Sequence, residues 1–381
     1  MRKFGFLVHP LSYDDVERYD PGAVGKGRPI IKKILEWIPP YRVSDIVGVR
    51  SAATGEEIEG HFIGVPLMPE QWLELPRTDI MARLVGAAEL AKELGCGIIG
   101  LGGFSSVVGD GGVTLAETVP GIAITTGNSY TIAAGIQSLF RAAHELEIDI
   151  PGASAVVIGA TGSIGSACAQ ILGNKVARVT LAARNATRLK NLAHAMQPHV
   201  AAQLDWTVDI RDAVRNADLV LTATSAVSAI VEPEDIKAGA VISEVSLPHD
   251  VSRRVATERP DVLVSEGGNI LVPGEPNFNF DFGLPARTAL ACMSETMILT
   301  LENKFVNYSL GRGIHIDKVL EIDRLADKHG FKLAGMRAFD KAVSDEQIAR
   351  TREAARAARA AAASLPPAMP GTAASAASSA R

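Results

Sequence analysis

Ala155-Val156-Val157-Ile158-Gly159-Ala160-Thr161-Gly162-Ser163-Ile164-Gly165 decides the fold. A short apolar run of buried-strand type passes into three glycines spaced GxxGxxG, and a helical segment over 166–172 follows at once. Gly159 permits a tight turn, Gly162 lets backbone approach a pyrophosphate, and Gly165 lets helix and strand pack closely. Ala160, Thr161, Ser163 and Ile164 complete a turn whose free N–H groups face the anion. The bland alternative for such a pattern is a structural turn. Its place between a strand and a helix favours dinucleotide binding instead.

Downstream of this turn, apolar runs at 178–182, 219–222, 240–243 and 262–265 alternate with helical segments. That rhythm predicts an α/β fold with a doubly wound, Rossmann-type parallel sheet over 151–285. Where the second strand ends, an NAD-preferring site places an acidic residue for the ribose 2′-hydroxyl. Here stand Arg184, Asn185 and, one helical turn on, Arg188. Guanidinium groups pair with a 2′-phosphate, so the expected cofactor is NADPH. Two solvated arginines at a helix start are the alternative. Gly267-Gly268, after the last strand, either borders the nicotinamide or merely turns the chain.

Upstream, residues 1–150 read as a separate α/β substrate domain, with strands at 4–8, 97–101 and 122–126 and an amphipathic helix over 79–94. Downstream of Pro285 the pattern reads as wholly helical, 287–301 and then 316–329, in a segment 286–350 that packs back and carries Cys292. Ser344 with Gln347 forms a capping box for a late helix. Residues 351–381 are an Ala/Arg-rich stretch, helical at its start and expected to be partly disordered beyond.

Composition bounds the function. With 38 Lys+Arg against 43 Asp+Glu in 381 residues, the net charge of −5 argues against general nucleic-acid binding. His9 and Pro10 interrupt the opening apolar run, and no stretch reaches the ~18 apolar residues of a membrane span. Cys96, Cys168 and Cys292 form neither a disulfide framework nor a metal-ligand pattern, so no metal is expected. The expectation is a reduced, cytoplasmic, multi-domain protein.

Taken alone, Cys292 between Ala291 and Met293 reads as a small buried hydrophobe, and Cys96 and Cys168 as packing. Several ordered segments change that weighing. Gly100-Leu101-Gly102-Gly103-Phe104-Ser105-Ser106, Thr125-Thr126-Gly127-Asn128, the glycine turn with Ser166-Ala167, and Ala183-Arg184-Asn185 with Arg188-Leu189 come first. Gly267-Gly268, Leu284-Pro285-Ala286-Arg287 leading to Cys292, Glu295 and Met297, and finally Lys328-His329-Gly330-Phe331 follow. Over about the first 335 residues this set resembles the long-chain acyl-[acyl-carrier-protein] reductases of the cyanobacterial, fatty-aldehyde-forming kind.

The resemblance implies transfer of an acyl group from a thioester to a cysteine, here Cys292, and reduction by NADPH to release a fatty aldehyde. His9 matches a histidine in the family's opening strand and is a candidate to move a proton, or a hydrogen-bonded core residue. Asn128 and the backbone around Ser105-Ser106 are candidate oxyanion donors, or turn and cap residues. Glu295, one turn after Cys292, either orients a base or is solvated. The chain departs from the family at Tyr130, where the cyanobacterial enzymes carry histidine, and in the acidic segment 12–20 and the tail.

The implied partners are an acyl carrier protein or acyl-CoA as donor, and an aldehyde-consuming enzyme downstream. A carrier is acidic, and Lys26, Arg28, Lys32 and Lys33 ahead of Leu35, Trp37 and Ile38 offer it a basic, partly apolar face. A core-packed helix with a basic outer side is the alternative. Two other functions stay open: a shikimate-dehydrogenase-like NADP reductase of a polar carbonyl, and a non-catalytic NADP(H)-binding sensor.

Overall fold

The computed structural model describes residues 1–364 apart from 109, 227 and 246–248. The first five strands are β1 (Lys3–Val8), β2 (Tyr41–Arg50), β3 (Glu57–Gly64), β4 (Ile98–Gly100) and β5 (Ala123–Thr125). They lie in the order β2-β3-β1-β4-β5, with β3, β1, β4 and β5 mutually parallel and β2 antiparallel to β3. The β2–β3 pair carries two register irregularities and stands apart from the strands anticipated for this half.

Six further strands, β6 (Ser154–Ile158), β7 (Arg178–Ala182), β8 (Gln203–Thr207), β9 (Leu219–Thr222), β10 (Val241–Glu244) and β11 (Leu263–Glu266), form the second sheet. Their order is β11-β10-β9-β6-β7-β8, all parallel, which is the doubly wound arrangement. Every residue of β9 and β10 is buried, as strands covered on both faces require.

One helix, Asn128–Glu145, joins the halves. It leaves the end of β5 and lies along the second sheet, where Ser243 Oγ donates to the Gly135 carbonyl (3.0 Å) and Ser138 Oγ lies 2.7 Å from Ser265 Oγ. Its other side meets the helices Ala291–Leu301 and Ile316–His329, the latter through Gln137 Nε2 donating to Asp323 Oδ1 (2.6 Å). The helices after the second sheet therefore pack back against the helix that links the two sheets.

Two expectations need correcting. The unit placed at 151–285 ends as a Rossmann sheet at Glu266: β12 (Asn269–Leu271) enters a small sheet, and β13 (Gly274–Asn277) adds an antiparallel edge strand to β2. The segment 286–350 is not wholly helical, because β14 (Thr288–Leu290) pairs with β12 and β15 (Lys332–Leu333) joins them. The helix anticipated from 287 therefore starts at Ala291, which moves Cys292 from mid-helix to its first turn. The Ala/Arg-rich stretch is helical from Asp345 to Ser364, and the part expected to be disordered, 365–381, lies outside the described residues. Ser344 and Gln347 form the anticipated reciprocal cap, and Arg352 and Arg356 clamp the helix to Glu145 and Glu147.

Candidate functional site

A cavity of about 350 Å³ lies where the carboxyl ends of both sheets meet. In an open α/β sheet this is where ligands bind, outside the carboxyl edge. Cys292, His9 and Asn128 line it together with Ile164 of the glycine turn, Gly268, and the Thr224-Ser225 loop after β9. From Cys292 the cavity also extends among Leu35, Tyr41, Val43, Phe280 and Phe282. It thus has a polar end at the second sheet and a largely apolar arm in the first half, with Asp15, Arg18 and Asp281 also in the lining.

The glycine turn has the expected geometry. Gly159 sits at φ +81° after β6, and a Cβ on Gly165 would collide with the backbone of Gly159. Around Gly162 the nearest atom to such a Cβ is the Gly159 carbonyl at 3.2 Å, so Gly162 is the open one. The helix Ser163–Leu172 begins without a side-chain cap, leaving its first-turn N–H groups for an anion. Arg184, Asn185 and Arg188 are exposed just past β7, where Asn185 Oδ1 caps the next helix by accepting from Arg188 N (2.9 Å). Neither arginine makes an ion pair among the described residues, so both guanidinium groups face outward at the strand end.

Cys292 is held by backbone. The Ala291 N–H donates to the Gly268 carbonyl (2.8 Å), tying the start of its helix to the turn after β11. On the opposite side Gly127, at φ +76°, packs on it so closely that a Cβ there would overlap the Cys292 backbone. Burial pushes the thiol up to about 12, with the Met293 N–H pulling it back and the nearby Glu295 adding to the rise. Cys292 is thus a neutral thiol in the cavity wall at a helix N-terminus, where any negative charge on sulfur is favoured by the first-turn amides.

His9 lies in the wall, but both ring nitrogens are engaged. Nδ1 is 3.0 Å from the Pro10 carbonyl, which can only accept, and Nε2 accepts from the Phe104 N–H (3.0 Å), which can only donate. These partners fix the neutral Nδ1–H tautomer, and burial lowers the ring to about 4. His9 therefore holds the Gly102–Gly103–Phe104 turn and has no free lone pair for Cys292. Asn128 is better placed, with Nδ2 3.5 Å from Ser163 Oγ, linking the start of its helix to that of the helix after the glycine turn.

Glu295 does not reach the cavity. It is fully buried, accepting from Thr125 Oγ1 (2.5 Å) and the Tyr130 N–H (2.8 Å), with Ser309 Oγ at 2.8 Å. Burial raises its carboxyl above the usual range. It joins the end of β5, the start of the linking helix and the 308–309 turn, which makes it an organiser of the Gly127 contact. Cys96 and Cys168 are buried, and burial raises both thiols, Cys96 to about 12. His249, Glu266 and Asp340 come together near β10 and β11, but His249 Nδ1 is taken by Glu244 (2.7 Å) and Nε2 by Asp340 (3.3 Å), so this is an ion-pair cluster.

Of the basic residues proposed for docking, Lys26, Arg28 and Lys33 are exposed, while Lys32 pairs with Glu74 (3.4 Å) and Lys33 with Glu36 (2.9 Å). Leu35 faces inward to the cavity and Trp37 outward. The sequence reading missed Gly127 as the surface against Cys292, the Thr224-Ser225 loop, and the aromatic wall. Its signal was the run Phe278-Asn279-Phe280-Asp281-Phe282, whose three rings gather on Phe62 around a bend at Asn279 (φ +48°).

The sheet order, the glycine turn and the site at the sheet edge define the class: an NAD(P)-dependent dehydrogenase or reductase fold, built for a nicotinamide cofactor. Residues 141–263 match the shikimate/quinate 5-dehydrogenase family model. The chain is 29% identical over 312 residues to the long-chain acyl-[acyl-carrier-protein] reductase of Synechococcus elongatus, covering 77% of this chain and 87% of that one. It is also 29% identical over 359 residues to the aminotransferase PigE of a Serratia species, covering 91% of this chain but only 41% of PigE. Quinate dehydrogenase from Corynebacterium glutamicum overlays on 93% of the chain and 99% of its own, with 13% identity and a TM-score of 0.37. No helix among the described residues is long and apolar enough to cross a membrane.

Proposed function

We propose that the protein is an NADPH-dependent reductase that converts an acyl thioester to an aldehyde through an acyl group carried on Cys292. The observation that supports this most is the composition of one cavity. A cysteine at a helix N-terminus stands between the glycine-turn end and an arm walled by Tyr41, Val43, Phe280 and Phe282. Asp15, Arg18 and Asp281 are charged residues of the lining, the first two paired with each other (3.4 Å), and the aromatic and aliphatic walls beside them favour an acyl chain over a small polar substrate. The shikimate/quinate family match stops at residue 263 and so bears on the cofactor half alone.

In the first half-reaction the Cys292 sulfur attacks the thioester carbonyl carbon and the donor thiol departs. The proton that leaves Cys292 ends on the departing sulfur, so the exchange needs no net base. This suits a site where the Cys292 thiol is neutral and His9 has no free nitrogen. The first-turn amides at Cys292 and the Asn128 side chain are the donors available to the developing oxyanion. Bound NADPH supplies the hydride that turns the acyl group into an aldehyde. Cys292 leaves as the thiolate and takes a proton from solvent, while the apolar walls keep water from hydrolysing the acyl-enzyme. The acyl donor is a carrier protein or acyl-CoA, the protein works in the cytoplasm, and its aldehyde product requires a consuming enzyme.

Intact-protein mass spectrometry after mixing with a long-chain acyl-CoA, without NADPH, tests the proposal. The expected result is one added acyl group, absent in Cys292→Ala and discharged as aldehyde on adding NADPH. NADPH binding with no adduct overturns it in favour of a polar-carbonyl reductase or a cofactor-binding sensor.

A further inference from the structure

The helix Arg28–Trp37 has two apolar sides. Its inner side packs Ile31 and Leu35 into the protein, and Leu35 reaches the cavity. Its outer side exposes Ile30 (56%), Ile34 (40%) and Trp37 (74%). The spacing i, i+4, i+7 makes these three one continuous stripe. A helix that only faced water would carry polar residues at those positions. Val24, just before the helix, is also exposed, and so is Leu73 on the neighbouring helix Pro69–Glu74. Gln71 fixes that neighbour in place, donating to the Lys32 carbonyl (3.0 Å) and to Glu36 Oε1 (3.1 Å).

Charge on this surface runs against the rest of the chain. Residues 24–38 carry Lys26, Arg28, Lys32 and Lys33 against one acid, Glu36, in a protein of net charge −5. Lys32 pairs with Glu74 of the neighbouring helix, and Lys33, though paired with Glu36, stays exposed beside Lys26 and Arg28. A short helix with an apolar stripe, a terminal tryptophan and flanking basic residues has the makeup of an element that lies in a membrane interface. At ten residues it is too short to span a bilayer.

We propose that the outer face of segment 24–38 docks on an anionic lipid bilayer. Ile30, Ile34 and Trp37 enter the headgroup boundary, and Lys26, Arg28 and Lys33 meet the lipid charge. The helix that carries this face is also a wall of the apolar arm of the cavity. The docking gives a poorly soluble aldehyde a hydrocarbon phase beside its site of release. That purpose rests on the thioester-reductase reading, whereas the surface itself does not.

The test is cosedimentation of the full chain with 100 nm vesicles of phosphatidylcholine and phosphatidylglycerol at 7:3, and with phosphatidylcholine alone, without substrate or NADPH. The full chain should sediment with the anionic vesicles and be released by 0.5 M salt. Its tryptophan emission should shift to the blue, because Trp72 is already buried and Trp37 is the most exposed of the three tryptophans. Trp37→Glu and Ile34→Glu, both at exposed positions, should each weaken binding by about ten-fold or more. Lys26→Glu with Lys33→Glu should weaken it by roughly thirty-fold on anionic vesicles. Far-UV circular dichroism and the melting temperature of each variant check the fold.

Failure to bind either vesicle, or binding unchanged by Trp37→Glu, overturns the proposal. So does a Trp37→Glu protein that binds vesicles normally but has a raised KM for a carrier-bound acyl substrate alone, since the face is then a protein-docking site. A chain that binds vesicles but never acylates Cys292 keeps this surface and loses the reductase reading.

Discussion

Replacing Gly127 by alanine tests the idea that close backbone contact sets the position of Cys292. Gly127 stands at φ +76°, and a Cβ there would fall closer than 3.0 Å to Cα, Cβ and the carbonyl oxygen of Cys292. The left-handed backbone alone costs an L-residue about 1–2 kcal/mol. Forcing the methyl into a filled space adds about 1–3 kcal/mol, because the atoms it meets belong to backbone and to a helix start that Gly268 also holds. Unfolding entropy near 2.1 cal/mol/K per residue puts the loss in melting temperature at about 3–6 °C for a chain of this length. Gly55→Ala is the control: Gly55 has φ +70° with nothing within 4 Å of an added Cβ, so it carries the backbone cost without the collision. The assay is differential scanning calorimetry alongside the rate of Cys292 acylation by acyl-CoA. Displacing the sulfur by about 1 Å lowers that rate by about 100-fold in Gly127→Ala. Equal losses in melting temperature for the two variants, with acylation unchanged in Gly127→Ala, would show that the Gly127 contact does not position Cys292.

Other outcomes follow from the same geometry. With the Cys292 thiol pushed up to about 12, its alkylation by iodoacetamide should rise about ten-fold per pH unit from pH 7 to 10. A plateau below pH 9 would instead reveal a paired, activated thiolate. His9, lowered to about 4 by burial, stays neutral in the folded protein while its unfolded counterpart takes up a proton near pH 6.5. Its contribution to stability is therefore complete above about pH 6.5 and falls away between there and pH 4, by up to about 3 kcal/mol. His9→Gln should flatten that part of a denaturation-versus-pH curve, and an unaltered curve would place the acid sensitivity elsewhere. Arg184→Ala with Arg188→Ala should raise KM for NADPH by about 10- to 100-fold while leaving NADH nearly unaffected. Equal effects on both cofactors would remove these arginines from the 2′-phosphate.

The second sheet was legible because parallel strands covered on both faces read as unbroken apolar runs. Val156-Val157-Ile158 and Leu219-Val220-Leu221 show this directly. β8 was not, since Gln203-Leu204-Asp205-Trp206-Thr207 is a sheet edge with polar residues among the apolar ones. β2 and β3 escaped for a related reason. They pair antiparallel through irregular register, which blurs the alternation that would have marked them.

Within the site, the glycine turn and Cys292 were visible as residue types, whereas their environments were not. Three residues such as Thr288-Ala289-Leu290 have no strand signal of their own, and β14 exists because β12 is there to pair with it. That pairing starts the next helix at Ala291. The engagement of His9 by Phe104, across 95 positions, and the burial of Glu295 beneath Thr125 are products of tertiary packing that local sequence does not encode.

The edge strand β13 also bears on how the chain is made. Gly274–Asn277 pairs with residues 47–49 of β2, more than 220 positions earlier. During synthesis the first sheet must wait, with the β2 edge unpaired, until the whole second sheet has emerged. An open edge of that kind recruits other strands, and the delay is about ten seconds or more at ordinary elongation rates. A chain cut after residue 266 would keep its glycine turn yet lose this closing strand. The two halves are therefore poor candidates for separate expression, and the first is the one expected to aggregate.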